Sequence, residues 1–332
     1  MQRIANASLA DRTTLGLGGP ARELVVADSI DELRELVVGC ESLLVLGGGS
    51  NLVVGDRGFD GTVVQLGWRD VQLANDIVTV AAGADWDGFV AQMVDDGRAG
   101  IECLSGIPGR VGATPMQNVG AYGQEVADTI VHVDALDRFT GEHATFAREQ
   151  CGFAYRTSWF KQSSRWIVTA VAFRLPKAAP APIRYAELLR AIGGGMGLRD
   201  IRAAVIALRR AKAMVVDPSD PDSKSAGSFF TNPIVDHHDA ARVAGQAGAA
   251  PPQWPQPDGR VKLSAAWLIE RAGFTKGTTR GRVGISTKHA LALVNRGGAT
   301  TAELLAFADE IRAGVSSAFG IVLESEPVVV GQ

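Results

Sequence analysis

Residues 106–123 read Gly106-Ile-Pro-Gly-Arg-Val-Gly-Ala-Thr-Pro-Met-Gln-Asn-Val-Gly-Ala-Tyr-Gly123, a composition that neither a regular helix nor a regular strand accommodates. Glycines at 106, 109, 112, 120 and 123 permit left-handed backbone and close approach, while Pro108 and Pro115 stiffen the path. The segment is expected to be a shaped loop whose remaining amides can converge on a phosphate or pyrophosphate. A glycine-rich turn that holds no ligand has the same composition. The stretch therefore establishes a loop and leaves its occupant open.

A second cluster lies upstream, where Leu43-Leu-Val-Leu46 reads as a short buried strand running into Gly47-Gly-Gly-Ser-Asn-Leu52. A Rossmann dinucleotide fingerprint needs glycine at the first, third and sixth positions of such a turn. Counted from Gly47 the sixth position is Leu52, so the match fails. Neither loop ends in Gly-Lys-Ser/Thr, which removes a triphosphatase P-loop.

The surrounding 332 residues, 46% hydrophobic, can bury a sizeable core in two or three domains. A net charge of −3 with acids and bases interspersed leaves no basic stripe for nucleic acid. Cys40, Cys103 and Cys151 are too few and too scattered for a disulfide framework or a zinc site, which suits a reducing cytoplasm. No run approaches the roughly 18 apolar residues of a membrane span, and the first residues lack the apolar core of a signal peptide. No nucleic-acid or membrane partner and no metal are expected.

Ser29-Ile-Asp-Glu32 has the form of a capping box before a helix to about Val38. Strands are expected at 43–46, 62–66, 77–81, 130–136 and 166–173, with a helix at 86–96. Pro176-Lys-Ala-Ala-Pro-Ala-Pro182 looks like a linker and places a domain boundary near 178. Helices follow at 185–192, 201–212, 264–272 and 301–318, with polar loops at 218–227 and 245–259.

Three further places can carry chemistry. Tyr155-Arg156-Thr-Ser-Trp-Phe-Lys161 sets an arginine among aromatics, where it can clamp a carboxylate or make an ordinary ion pair. Gly227-Ser228-Phe-Phe-Thr-Asn-Pro233 holds a serine that is either a turn residue or a reactive hydroxyl. No Gly-x-Ser-x-Gly elbow surrounds it, which disfavours serine-hydrolase chemistry. Leu323-Glu324-Ser-Glu326-Pro-Val-Val-Val-Gly331 carries two acids, of which one is expected to face a site, unless both are solvated.

In their order along the chain, Gly47-Gly-Gly-Ser-Asn51, Gly106-Ile-Pro-Gly109 with Gln117-Asn-Val-Gly-Ala-Tyr-Gly123, Tyr155-Arg156-x-Ser-x-Phe-Lys161, Gly227-Ser-Phe-Phe-x-Asn-Pro233 and Leu323-Glu-x-Glu326 closely resemble the UDP-N-acetylenolpyruvoylglucosamine reductase (MurB) family of peptidoglycan synthesis, in its longer-loop type I subtype. The resemblance runs from Thr13 to Gly331. It implies an α+β chain: an FAD-binding domain of the vanillyl-alcohol-oxidase (PCMH) type over 1–177, in two subdomains of about 1–67 and 68–177, then a smaller C-terminal α/β substrate domain over 178–332. It also implies NADPH-dependent, FAD-mediated reduction of UDP-N-acetylglucosamine enolpyruvate to UDP-N-acetylmuramate by a cytoplasmic monomer.

Carried over by position, the resemblance gives non-covalent FAD to Gly47, Gly48, Gly49, Ser50, Asn51 and Leu52, and to Gly106, Ile107, Pro108, Gly109, Gly112, Gln117, Asn118, Gly120, Ala121, Tyr122 and Gly123. Ser228 matches the proton donor, Arg156 and Glu326 the pair that polarises the enolpyruvyl carboxylate, and Tyr185, Asn232 and His289 substrate contacts. Thr231 stands where many relatives have lysine. A diphosphate-binding lysine has no counterpart among Met214–Val216, which leaves Lys212, Arg209, Arg210 and Lys262 as alternatives. The insertion at 251–257 matches nothing and is expected to be a surface loop. A flavin oxidase on the same scaffold and a non-catalytic nucleotide-sugar module are the competing classes.

Overall fold

The computed structural model describes residues 1–331. These form two compact units: one of residues 1–7, 21–48 and 60–215, the other of 8–20, 49–59 and 216 onward. Compactness thus divides the chain after Val215, not at 178. The Pro/Ala segment does interrupt regular structure, but the helices beyond it are held to the first unit, for instance by the bidentate Arg202–Asp87 pair.

The first unit contains two large sheets and the two-stranded pair Gly120–Ala121 and Gln124–Glu125. One orders the strands Gln2–Ser8, Pro20–Ala27, Phe59–Leu66 and Leu43–Val45, the last pair parallel with Leu44 opposite Val63. Helix α1 (Ile30–Val37) seals it with Leu33 and Val37, which pack with Ala27 and Val64. Ser29 caps α1 by accepting the Glu32 N–H, but the Glu32 carboxylate returns to the Asp28 amide and leaves the expected box half-formed. The second sheet is antiparallel throughout, in the order His143–Ala147, Ile130–Asp137, Trp166–Arg174, Ile77–Ala81, Val71–Ala74. Helix α2 (Trp86–Asp95) lays Trp86, Phe89, Val90, Met93 and Val94 on it, spaced for one helical face. Trp86 and Phe173 are fully buried with ring centroids 5.9 Å apart, and each such side chain contributes roughly 1.5–3 kcal/mol by leaving water. Helices α3 (Ala186–Ile192) and α4 (Leu198–Ala211) close the unit through Leu188, Ile201 and Val205, which pack on Cys103.

In the second unit, strand Leu52–Val54 runs parallel to Val328–Val330. Two three-stranded sheets follow, ordered Ile234–Val235, Val261–Leu263, Gln253–Pro255 and Thr279–Arg280, Val283–Ile285, Leu293–Asn295. Helices α5 (His237–Ala247), α6 (Ala265–Arg271) and α7 (Thr301–Phe319) cover the core. The sequence reading missed α5, whose alanines and last-turn Gly245 weaken the apolar stripe. Helix α7 buries Leu304, Phe307, Ala308, Ile311, Val315 and Phe319, starts on a complete Thr300/Glu303 capping box, and stops at Gly320 with φ +64°. Asp56 accepts the Thr301 and Ala302 N–H groups at 2.7 and 2.9 Å, an anion at the positive end of the helix. The 251–257 insertion contains the edge strand Gln253–Pro255, because paired residues on one side only tolerate its prolines. No helix among the described residues is long and apolar enough to cross a membrane.

Candidate active site

Within the first unit, the two glycine clusters meet backbone to backbone. A Cβ on Gly48 would lie 2.7 Å from the Gly109 Cα, so the approach of the two loops needs glycine there, and one on Gly112 would lie 2.5 Å from the Ala82 Cβ, so the 106–112 turn needs glycine to lie against residue 82. The 106–112 turn is tied down by hydrogen bonds from Trp86 N to Gly109 O, Val111 N to Ala84 O and Gly112 N to Ala82 O. Asp87 Oδ1 accepts the Gly106 N–H at 2.6 Å while Arg202 binds both carboxylate oxygens. Burial pushes the Asp87 carboxyl up, but the Arg202 guanidinium and the Gly106 N–H outweigh it and hold the group below the ordinary carboxylate range.

Asn118 is buried, and its side chain is committed to Glu125, the Ala154 carbonyl and the Ala127 amide. It shapes the loop, so any contact it makes with a cofactor goes through backbone. Asn118, Tyr122 and Arg156 adopt φ of +47°, +50° and +55°, three of the six left-handed non-glycine residues described. Each costs about 1–3 kcal/mol, and such strain collects where a site fixes the backbone for other reasons. Arg156 Nη2 donates to Gly120 O at 2.8 Å, its guanidinium lies 5.4 Å from the Tyr155 ring, and Lys161 Nζ binds its carbonyl.

Tyr122 meets Tyr185 edge-on at 5.3 Å, and burial raises the Tyr122 hydroxyl to about 12. Beside them Lys212 pairs with Glu187 at 2.6 Å and lies 6.0 Å from the Tyr122 ring. Arg209 runs along the 106 loop: a Cβ on Gly106 would meet its Cδ and Nε at 3.5 Å. Its Nη2 donates to Met214 O, its Nε is sealed from solvent with no partner, and burial lowers its pKa to about 10. It is still protonated at neutral pH. A half-buried cation with one unpartnered donor beside glycine-lined backbone fits an anionic group such as a dinucleotide pyrophosphate.

The second unit holds Gly49–Leu52, Ser228, Asn232, His289 and Glu326. The serine follows Gly227, whose φ is +72°, and is half-buried ahead of Phe229 and Phe230, both in the core. The Phe229 N–H donates to Leu291 O at 2.7 Å, and its carbonyl accepts the Glu326 N–H at 2.9 Å. Ser228 and Glu326 therefore sit on two backbone segments stitched together on either side of one residue. Asn51 Nδ2 donates to Glu326 O. Glu324 is exposed and Glu326 half-buried. Side chains two apart share a face in a regular strand, but the strand begins only at Val328 and the backbone before it makes an isolated bridge between Ser325 and Phe230. Asn232 Oδ1 accepts the Ala265 N–H at the start of α6, and half-buried His289 donates its N–H to Ser286 Oγ.

The family described as "FAD binding domain" matches residues 21–147, and the one described as "UDP-N-acetylenolpyruvoylglucosamine reductase, C-terminal domain" matches 218–330. UDP-N-acetylenolpyruvoylglucosamine reductase of Thermobifida fusca is 55% identical over 98% of this chain and 97% of its own length. Its namesake in Streptomyces coelicolor is 51% identical over 100% and 91%. The crystal structure of the Thermus caldophilus enzyme superposes with a TM-score of 0.68 at 29% identity, covering 99% of this chain and 98% of that one. The α+β expectation and the FAD-binding domain both hold. With identity of this level across the full length, the chain belongs to the UDP-N-acetylenolpyruvoylglucosamine reductase family, the FAD-dependent oxidoreductases of peptidoglycan synthesis.

Proposed function

We propose that Ser228 is the proton donor, and Arg156 and Glu326 the electrostatic partners, of the family's NADPH-dependent reduction of UDP-N-acetylglucosamine enolpyruvate to UDP-N-acetylmuramate. The observation that carries this reading is the backbone lock at Phe229, which fixes Ser228 and Glu326 relative to each other. Bound FAD supplies the relay of hydride from NADPH to the enolpyruvyl double bond. The residues of the first unit that suit it are Gly47 and Gly48 with the 106–123 loop, and Arg209 offers a charge for its pyrophosphate or for the substrate's.

When hydride reaches the terminal vinyl carbon, the displaced electron pair develops on the carbon next to the carboxylate and spreads into that carboxylate. Arg156, already oriented by Gly120 O and the Tyr155 ring, stabilises that charge without moving. Ser228 Oγ then supplies a proton to the same carbon, a step in which a placed acid typically contributes about 10²- to 10⁴-fold. Lys212, paired with Glu187 and lying beside Tyr122 and Tyr185, is the substrate-diphosphate partner that we favour among the four basic alternatives. The protein acts as a monomer in the cytoplasm. The test is anaerobic: NADPH bleaches the flavin, the enolpyruvyl sugar nucleotide restores it, and in Ser228→Ala the second phase alone slows by at least about 100-fold. Equal slowing of both phases would contradict the assignment.

A further inference from the structure

Asp222 has no role in the reading above, yet it is 2% exposed, and its carboxylate gathers four donors within the second unit. Oδ2 accepts from Ser286 Oγ at 3.0 Å, Thr287 N at 2.7 Å and Thr287 Oγ1 at 2.6 Å, while Oδ1 pairs with Arg296. Arg296 donates onward to Ile285 O, and Ser286 Oγ accepts the N–H groups of Lys288 and His289. One carboxylate thus fixes both ends of the segment 286–296.

That segment is the bed on which the serine loop is laid. Asn295 N donates to Lys224 O, Ser225 bridges Val294, and Phe229 N donates to Leu291 O. On its other side the loop is held by Thr231 N to Glu324 O and Glu326 N to Phe229 O. Gly227, at φ +72°, has no atom within 4 Å of where a Cβ would sit. Its neighbourhood therefore does not wedge the turn in place, and the flanking hydrogen bonds set the position of Ser228. We propose that Asp222 is a positioning residue for Ser228: by clamping Ser286, Thr287 and Arg296 it holds the 286–296 bed in the register that aims the serine hydroxyl. The inference rests on Ser228 being the proton donor. An asparagine in its place offers one carbonyl oxygen for four donors and leaves the Arg296 guanidinium without an anion, so the bed relaxes. A displacement of about 1 Å at a reacting group costs on the order of 10²-fold.

The test separates positioning from mere support of the fold. The two flavin phases are timed anaerobically on holoenzyme for wild type, Asp222→Asn, Ser228→Ala and the double variant, with Thr287→Val as a milder change that spares the Arg296 pair. Asp222→Asn is expected to leave reduction by NADPH within about 2-fold and to slow reoxidation by the enolpyruvyl sugar nucleotide about 10- to 100-fold. Thr287→Val should slow the same phase less. In the Ser228→Ala background the added slowing should vanish, since there is no longer a hydroxyl to aim. A full additional slowing in that background, equal slowing of both phases, or wild-type reoxidation in both Asp222→Asn and Thr287→Val would overturn the proposal. Should Asp222→Asn not fold, Thr287→Val and its double with Ser228→Ala carry the same comparison. Wild-type reoxidation in Ser228→Ala would instead remove the proton-donor reading itself, an outcome distinct from a slow Ser228→Ala beside an unaffected Asp222→Asn.

Discussion

At Arg156 the backbone is left-handed at a residue with a long side chain, a conformation that costs about 1–3 kcal/mol. A guanidinium that only decorated a surface would not need that backbone. Nη2 on Gly120 O and Cζ 5.4 Å from the Tyr155 ring centroid hold the guanidinium in place, as the proposed carboxylate partner requires. Lysine reproduces the charge but neither the fork nor the planar contact. Arg156→Lys is therefore expected to lose about 10²- to 10³-fold in kcat, the scale of one missing charge-stabilising donor, with flavin content unchanged. Steady-state kinetics beside an absorbance spectrum checks both halves. Asp87 makes a different argument, through pH. Its folded-state carboxyl is held below the ordinary range by Arg202 and Gly106 against the pull of burial. A lowered folded value stabilises the protein above the unfolded value of about 3.9, and that contribution disappears as pH falls through the folded value. Denaturant midpoints taken from pH 6 down to pH 3 should decline in the wild type below about pH 4. The decline should be shallower in Asp87→Asn, and parallel curves would show that the pair adds nothing.

Elements, more than single contacts, explain what could be seen in the sequence and what could not. Helices α1, α2 and α7 were legible because caps and apolar spacing agree locally: Ser29, Asp85 and Thr300 all accept an N–H from the first turn. The glycine loops were legible as loops because their glycines and prolines exclude regular structure locally. Their meeting was not, since the Gly48–Gly109 approach joins positions 61 residues apart and leaves no trace in either stretch. Nor was Asp222, whose four donors come from Ser286, Thr287 and Arg296 far along the chain, in a turn that reads as ordinary polar sequence. The proposed Ser228, Arg156 and Glu326 were reached through ordered motifs, which carry position without geometry. The close approach itself predicts an effect. A methyl group on Gly48 would meet backbone at 2.7 Å, and backbone cannot swing aside as a side-chain tip can. Gly48→Ala is expected to lose about 1–3 kcal/mol of stability and to purify with less flavin. Full yellow colour and an unchanged denaturation midpoint would mean that the two loops separate without penalty.

For the whole molecule, the loops proposed to hold the cofactor combine close-packed glycine turns, left-handed φ at Asn118, Tyr122 and Arg156, and a half-buried Arg209 whose Nε has no partner. On the proposed reading, a bound pyrophosphate offsets such costs by hydrogen bonds to loop amides and by its charge beside Arg209. A ligand that binds only the folded state stabilises it by RT ln(1 + [L]/Kd), roughly 2.7 kcal/mol at a hundredfold excess over Kd. Apoprotein stripped of flavin should accordingly melt lower than holoenzyme, and its melting temperature should climb with the logarithm of added FAD without reaching a plateau. Arg209→Met keeps an unbranched apolar stem and removes the charge. If the guanidinium serves the cofactor, this variant melts close to wild type without FAD, because a partly desolvated cation has gone, yet its climb with FAD begins at higher concentration. If Arg209 instead serves the substrate diphosphate, the FAD titration is unmoved and the enolpyruvyl sugar nucleotide loses the affinity. Should neither ligand respond, the charge is structural, held by Met214 O, Asp87 and Tyr122 alone.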